Sequence, residues 1–230
     1  MFKKIYGDSP YKSPTDMGVN MAGNCISNDE NAKEAGNQEI IRRYYKECCA
    51  LRKGSSRQDI VSKLEVLMQQ AGIGLESRKC ATAANVKAEV TGLPAAAIEL
   101  DDGTVITGKT TNLLGASSAM LLNALKHLAG LADDVILLSP SVIEPIQHLK
   151  VHHLGDHNPL MHINEVLIAL TICAESDDNA RVALGQLDKL RGCEAHSSVI
   201  LSGIDENVFA KLGVNLTCEP RYQTNKMFHQ

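Results

Sequence analysis

The sequence predicts a mixed α/β protein, in which a three-layer α/β/α sandwich with a mixed sheet of about five strands follows a small helical subdomain. Three observations support this fold class. Residues 31–92 carry helical patterns, a β-hairpin signal follows within residues 93–108, and short β-compatible runs then alternate with helical ones. We expect an irregular N-terminal arm at 1–30, a helical subdomain at 31–92, and an α/β/α domain at 93–230 with a helical insertion near 152–192.

Apolar residues at helical spacing predict the helical subdomain. Gly54 ends the first helix, which is expected over residues 38–53. Ser56 and Asp59 form a capping box for the second helix, and Gly72 ends it. A weaker third helix is expected over residues 76–90. The apolar stripes are Ile40, Ile41, Tyr44, Cys48 and Leu51 in the first helix, and Ile60, Val61, Leu64, Leu67, Met68 and Ala71 in the second.

The stretch from Gly103 to Thr110 fits two patterns. Its letters match GxxxxGKT, the phosphate-binding P-loop. Residues 104–107 are all β-branched, however, and such residues resist the positive φ angles that a phosphate-binding loop needs. An Asp-Gly pair at Asp102 precedes them and is a strong hairpin signal. We therefore predict two strands joined by a turn rather than a P-loop.

Beyond the hairpin, helical and strand patterns alternate. Ser139 caps one helix and Pro140 occupies its first turn, while Pro145 shortens or distorts it. Gly213 ends the last helix. The helices are expected at residues 115–129, 139–150, 162–175, 178–191 and 205–213, and the strands at 133–139, 195–202 and 214–218.

Composition narrows the function classes. A net charge of −4 and 3% aromatic residues give neither the basic stripe nor the stacking side chains of nucleic-acid binders, so we expect no nucleic-acid partner. No apolar run approaches the roughly 18 residues that span a bilayer, and residues 1–10 hold no signal peptide. The seven cysteines are irregularly spaced, which favours reduced thiols in a cytoplasmic protein.

Read as hairpin, helix, strand and helix, residues 93–150 resemble the cytidine-deaminase fold. In that family, a zinc-binding His or Cys and a catalytic Glu begin one helix, and a P-C-x-x-C motif begins the next. Here Ser117 and Ser118 stand in the region of the first pair, and the residues directly after Pro140 are Ser141, Val142 and Ile143 rather than the cysteine of that motif. The resemblance therefore implies a deaminase-like sheet without its zinc and without that chemistry.

A closer resemblance covers nearly the whole chain. The segments "DSPYKSPTDMGVNMAG", "TGLPAAAIELDDGTVITGKTTNLLGASSAMLLNALKHLAG" and "GCEAHSSVILSGIDENVFAKLGVNLTCEP", with "EIIRRYY", "LSPSVIEPIQHLK" and "NEVLIAL" between them, resemble the C-terminal half of a bacterial family known as domain of unknown function 1846. The resemblance implies a helical subdomain beside a three-layer α/β subdomain, a further domain upstream, and no established function. Some relatives carry the label of an ATP-dependent zinc protease. This chain has no HExxH motif, so its residues do not support that label.

The first candidate site lies at two predicted helix starts, residues 115–118 and 139–142, at one edge of the sheet. Unpaired N–H groups at helix starts attract anions, and ligands of open α/β sheets bind at such edges. We predict a small anionic or nucleotide-like ligand there, against the alternative of ordinary helix capping and a solvated lysine. Glu144 is either a base or hydrogen-bonding group for the ligand, or a stabilising acid in its own helix. The other candidate ligand-binding residues are Lys109, Thr110, Thr111, Asn112, Ser117, Ser118 and Ser139.

The densest polar cluster lies in residues 150–165. Imidazole and carboxylate groups suit zinc and similar metals, and His162 and Glu165 share a helix face. Three interpretations stay open: a metal site at His157, His162 and Glu165, a metal-free polar site, or a solvated loop. No other cofactor is predicted. The cluster consists of His152, His153, Asp156, His157, His162 and Glu165.

The third candidate is the N-terminal arm, which either closes over a site or packs on a neighbouring subunit or domain. Three functions follow as expectations: binding, with or without turnover, of a small anionic ligand at the helix starts; a non-catalytic oligomerisation or interaction module; and a metal-dependent hydrolase using the cluster from His152 to Glu165. We also expect a homo-oligomer or an upstream domain as partner. The polar residues of the arm are Asp8, Lys12, Ser13, Thr15, Asp16 and Asn20.

Overall fold

The computed structural model describes residues 29–223 of the chain. This part contains eight α-helices and one mixed sheet of four strands, which confirms the mixed α/β class. Most of the predicted arm at 1–30 lies outside the described residues. The helices are α1 (Asp29–Arg52), α2 (Gln58–Ala71), α3 (Lys79–Thr91), α4 (Ala116–Leu128), α5 (Pro140–His148), α6 (Ile163–Cys173), α7 (Asp178–Leu184) and α8 (Gly203–Leu212), and the strands are β1 (Ala95–Glu99), β2 (Val105–Lys109), β3 (Glu194–Ser197) and β4 (Asn215–Cys218).

The three helices expected before the sheet are present. α1 buries Ile41 and Tyr45, so its buried face is rotated from the predicted stripe. α2 ends at Gly72 as predicted, with a φ of 65° that suits glycine. The predicted capping box is wrong, because Arg57 occupies the cap position and no side chain caps the helix. The Ser56 hydroxyl instead donates to Glu47 of α1 at 2.5 Å.

The predicted hairpin is confirmed. β1 and β2 pair antiparallel, with Ile98 opposite Ile106 and Glu99 opposite Val105, and Gly103 takes a φ of 81° in the turn between them. The amides of the β-branched run therefore lie in a sheet ladder and cannot surround a phosphate. The P-loop reading of this stretch is excluded by its geometry.

The sheet has the strand order β2-β1-β3-β4, in which β1 pairs antiparallel with β2 and β3, and β3 pairs parallel with β4. Helices cover both faces of β1. Ala97 packs with Cys80 of α3 on one face. Ala96 and Ile98 join Met120 of α4 in the main core on the other face. Strand alternation thus places adjacent β1 residues in two separate apolar clusters.

A buried arginine ties the helical region to the sheet. Arg78, just before α3, is 1% exposed. Its guanidinium donates to the carbonyls of Ala195 at 2.8 Å and Asn215 at 2.7 Å, one on each of the paired strands β3 and β4. It also forms an ion pair with Glu194. The same carboxylate forms a second ion pair with Arg42 of α1, whose Nη1 lies 2.5 Å from Glu194 Oε1. Residues before and after position 92 are therefore joined by charged groups as well as by apolar packing.

The strand predicted at residues 133–139 is wrong, and the sheet has four strands rather than five. Lys126 Nζ donates to the carbonyls of Asp133 at 2.7 Å and Val135 at 3.3 Å, which occupies groups that a ladder would use. Leu137 is buried while Ile136 is 67% exposed, so the run lies against the core as irregular chain. The deaminase-like topology depended on this strand, and the observed sheet gives it no support.

The helices after the hairpin follow the prediction with local departures. α5 contains Pro145 and continues into a π-helical turn at Leu149–His153, the distortion expected from an internal proline. The helix expected at 178–191 breaks into α7 and a 3₁₀ turn at Leu187–Leu190. α8 ends at Gly213 with a φ of 76°, as predicted. In the described part of the chain, no helix combines the length and apolar character needed to cross a membrane.

Candidate functional site

Three helices begin around one cleft. α4 starts after Gly115, α6 after His162 and α8 after Ser202. These residues line a small cleft of about 40 Å³, together with Thr110, Ser117 and the loop at 199–201. That volume exceeds the roughly 10–15 Å³ that one water needs. A helix start carries N–H groups without intrahelical partners and a partial positive charge. At α6 and α8, side chains already hold some of these groups: the Ile163 N–H donates to Asp205 and the Asp205 N–H donates to Ser202.

A buried carboxylate fixes the histidine of the cleft. Asp205 is 6% exposed and lies in the first turn of α8. Its Oδ2 is 3.1 Å from His162 Nδ1, and its Oδ1 accepts the Ile163 N–H at 2.9 Å. The hydrogen bond with Asp205 raises the pKa of His162, and burial offsets only part of that rise. Burial opposes ionisation of Asp205, but the bonds from His162 and Ile163 outweigh it and lower the pKa of Asp205.

Ser202 completes this cluster without forming a nucleophile–base pair. Its hydroxyl donates to Asp205 Oδ2 at 3.0 Å and accepts the Asp205 N–H at 3.2 Å, which caps α8. It also lies 3.4 Å from His162 Nδ1. Because Ser202 and Asp205 both contact Nδ1, Nε2 is the ring nitrogen that remains for a ligand within the described residues.

The start of α6 is fixed by a buried lysine. Lys150 is 2% exposed, and its ammonium donates to Glu165 at 2.8 Å and to the Leu160 carbonyl at 2.9 Å. Glu165 in turn accepts the backbone N–H of His162 at 2.7 Å. Glu165 therefore caps the helix and pairs with a lysine, and its carboxylate holds His162 from the backbone side.

Lys150, Ser202 and Asp205 were not predicted as site residues, although the sequence holds a signal for each. Lys150 follows the buried Ile143 by seven residues, a spacing that repeats one helix face. Ser202 and Asp205 stand three apart before an apolar run, the spacing of a capping box.

The structure divides the predicted ligand-binding residues between two places. Thr110, Ser117 and His162 meet in the cleft. Lys109 and Thr111 line a different hollow of about 290 Å³, against α4 and residues 135–138. The start of α5 does not line the cleft. The helix starts that come together are those of α4, α6 and α8, whereas the sequence pattern paired α4 with α5.

The remaining predicted residues have local contacts or face solvent. The Thr111 hydroxyl accepts the Leu114 N–H at 3.0 Å and shapes the loop before α4. Ser118 donates to the Met161 carbonyl at 3.0 Å in the core, and Ser139 pairs with the Ser141 hydroxyl at 2.7 Å. Of the predicted ligand-binding residues that line neither the cleft nor the neighbouring hollow, three are exposed to solvent: Asn112, Glu144 and His157.

The histidine-rich segment does not converge on one point. The His148 ring stacks 4.4 Å from His152 and 5.5 Å from His153 at the end of α5, whereas His162 lies in the cleft. Across residues 29–223, no group of three or more His, Cys, Asp or Glu side chains is arranged to hold a metal ion. The polar residues of the arm, between Asp8 and Asn20, lie outside the described residues.

Comparison with known families agrees with the resemblance seen in the sequence. Residues 76–228 match a family model described as "Domain of unknown function DUF1846, C-terminal", and residues 1–72 match the model of its N-terminal domain. The chain belongs to the DUF1846 family. In this chain, the boundary between the two matches falls between α2 and α3.

DUF1846 relatives match this chain along its whole length. The chain is 52% identical over 230 residues to the UPF0371 protein cu0538 of Corynebacterium urealyticum. The aligned region is 100% of this chain and 46% of that protein. It is 52% identical over 233 residues to the UPF0371 protein DIP2346 of Corynebacterium diphtheriae, with the same coverage. A UPF0371 protein of Streptococcus thermophilus is 48% identical over 230 residues, which are 100% of this chain and 47% of that protein. The chain thus spans about half the length of the curated relatives it matches, and the DUF1846 family is functionally uncharacterised.

Proposed function

We propose that this chain binds a small anion, or the phosphate or carboxylate group of a small ligand, in the cleft where α4, α6 and α8 begin. One observation carries the proposal: His162, whose pKa Asp205 raises, stands where three helix starts meet. Helix N-termini supply N–H donors and favour negative charge, and a protonated imidazole adds a charged donor.

We assign the anion two kinds of donor in the cleft, backbone N–H groups and the imidazole of His162. Gly115, Ala116 and Ser117 at the start of α4 line the cleft and would supply backbone N–H donors, and Thr110 lines the same space. His162 offers Nε2, since Nδ1 is held by Asp205. The cleft is large enough for an anionic group, and the rest of a nucleotide-like ligand would extend into solvent. Lys109 belongs to the neighbouring hollow and is assigned no contact with the anion.

The proposed site binds anions best when His162 is protonated. The pKa of His162 is raised, so the imidazolium persists to a higher pH than that of an unperturbed histidine. Affinity for inorganic phosphate should fall as pH rises through that raised pKa, once the second ionisation of phosphate is allowed for. Sulfate has no ionisation in this range and gives the cleaner titration.

The test is thermal stabilisation and calorimetric titration with sulfate, inorganic phosphate, AMP and glucose 6-phosphate, with glucose as the neutral control. A free ligand concentration of 100 times the dissociation constant should add about 2.7 kcal/mol to the free energy of unfolding. His162→Gln should lose this response, while His157→Gln, at an exposed position, should keep it. Asp205→Asn should move the pH profile for sulfate to lower pH. An equal response of wild type and His162→Gln to all four anions, or no response at pH 6, contradicts the proposal.

We further propose that the sheet is the middle of three layers, with α3, at the end of the predicted helical part, on one face and α4 on the other. The packing of Ala97 against α3 and of Ala96 against α4 supports helix layers on both faces. In this arrangement, the cleft lies at the N-terminal ends of α4, α6 and α8, on the side of the sheet that α4 covers.

A further inference from the structure

Within residues 29–223, strand β4 forms one edge of the sheet and pairs on one side, with β3. The backbone N–H groups of Asn215 and Glu219 donate to carbonyls of Cys193 and Ser197, at 2.9 Å and 2.8 Å. Alternate residues of a strand direct their backbone groups to opposite sides. Leu216 and Cys218 therefore direct their N–H and C=O groups away from β3.

These outward groups face a groove of about 710 Å³. Residues 214–218 line its floor, α1 forms one wall and α8 the other. Lys53 of α1 and Glu206 of α8 form an ion pair at 3.3 Å that joins the two walls. The four residues of β4 span about 13 Å, at roughly 3.3 Å per residue.

Only weak local contacts occupy the outward edge among the described residues. The Cys49 thiol, a weak donor, reaches the Cys218 carbonyl at 3.2 Å. The Leu216 N–H reaches back to the Val214 carbonyl at 3.1 Å within the same chain segment. An incoming strand would replace both with ordinary ladder hydrogen bonds, and this exchange is the basis of strand addition in peptide recognition.

The charge of the groove selects the kind of segment. Its walls carry four basic side chains and two acidic ones, which gives a net charge of +2, although the whole chain has a net charge of −4. Arg42 and Arg43 pair with Glu39, and Lys53 pairs with Glu206, so among the described residues Lys46 is the cation that no ion pair offsets. Two copies of this chain joined edge to edge would bring two positive grooves together, which like-charge repulsion disfavours. An acidic segment fits the groove. The basic side chains are Arg42, Arg43, Lys46 and Lys53, and the acidic ones are Glu39 and Glu206.

We propose that the β4 edge binds an extended, acidic segment of another protein as an added strand. The backbone of the segment pairs with Leu216 and Cys218, and its carboxylates face the cations of α1. Lys46 is exposed on the groove wall and makes the clearest single contact to test. Arg42 is unsuitable because it also holds Glu194.

The experiment uses a fluorescein-labelled peptide, acetyl-EVEVTVE-amide, with acetyl-KVKVTVK-amide as the charge-reversed control. Fluorescence anisotropy should show at least tenfold tighter binding of the acidic peptide. Lys46→Glu should weaken that binding about tenfold, whereas Lys87→Glu, on α3 away from the groove, should not. Melting temperature verifies that both variants fold.

Backbone pairing is tested on the peptide rather than on the protein. Two further peptides carry N-methyl groups on alternate backbone nitrogens. One peptide is methylated at the odd-numbered residues and the other at the even-numbered residues, so that each register blocks the N–H groups on one side of the added strand. Strand addition predicts that one register abolishes binding and the other leaves it within about threefold. Equal binding of both N-methylated peptides, equal binding of the basic peptide, or self-association seen by light scattering without peptide binding overturns the proposal. Capture of polyphosphate or single-stranded DNA without peptide binding also overturns it.

Discussion

Asp205 joins the starts of two helices through one carboxylate. It accepts from the Ile163 N–H of α6 and the Ser202 hydroxyl that caps α8, and it pairs with His162. Its lowered pKa gives stability that is present above its ordinary value of 3.8 and is lost as pH falls through the folded pKa. The raised pKa of His162 gives stability that is complete below 6.5 and is lost as pH rises through the folded pKa.

The pair should therefore stabilise the fold most between about pH 4 and pH 6.5. Asp205→Asn removes the charge and should cost about 2 kcal/mol at pH 5.5, the usual value of a hydrogen bond to a charged group. The cost should shrink as pH falls through the lowered pKa of Asp205, and again as pH rises through the raised pKa of His162. Urea unfolding across this range measures it, with Asp188→Asn at an exposed position as control. A cost that does not depend on pH would show that the pair contributes no ionic stabilisation.

Arg78 is a second charged residue whose burial depends on its partners. Its side chain is 0% exposed and pairs with Glu194, so removal of the guanidinium leaves a partly buried carboxylate short of one cation. Arg78→Met should cost about 3–5 kcal/mol, the range for breaking a buried pair. Arg78→Lys should recover only part of this, because an ammonium cannot reproduce five donors in one plane. Arg43→Met, with 68% of the side chain exposed, should cost under about 1 kcal/mol by urea unfolding.

At the scale of elements, Gly108 explains why a P-loop pattern occurs in a hairpin. A Cβ atom added there would lie 2.1 Å from the backbone nitrogen of Met120, so β2 and α4 approach too closely for any side chain. Gly108→Ala should destabilise the protein by about 1–3 kcal/mol through overpacking. Gly36→Ala, inside α1 with open space around it, should stabilise it by about 0.5–1 kcal/mol. Thermal unfolding of the two variants compares them directly, and a tolerated Gly108→Ala would contradict the close packing.

Elements were predictable where their signal lies within a few neighbouring residues. The Asp-Gly turn located the hairpin, and Gly72 and Gly213 located two helix ends, since positive φ favours glycine wherever the chain folds. The strand at 133–139 was wrong because an apolar run of this length shows only that a segment is buried. Whether it pairs depends on a free neighbouring edge, and Lys126 holds its carbonyls instead.

At the scale of the molecule, α3 and the sheet should unfold together. Cys80 of α3 is 0% exposed and Cys193 beside β3 is 2% exposed, and burial raises the pKa of both thiols to about 11. Thiol labelling at pH 8 in increasing urea, read peptide by peptide with mass spectrometry, should expose the two cysteines at the same midpoint. Cys173 is only partly buried and should react earlier. Earlier labelling of Cys80 than of Cys193 would show that the region before residue 92 unfolds as a separate unit.

The sequence by itself determined the family, the α/β class, the hairpin and most helices, because these depend on spacing and on turn residues close together in the chain. Only the tertiary structure decided which helix starts meet, since His162 and Asp205 are 43 residues apart and no local spacing relates them. It likewise decided that Lys150 and Arg78 are buried. A charged residue is buried only where distant segments bring it partners, and that complementarity arises when the packed surfaces come together.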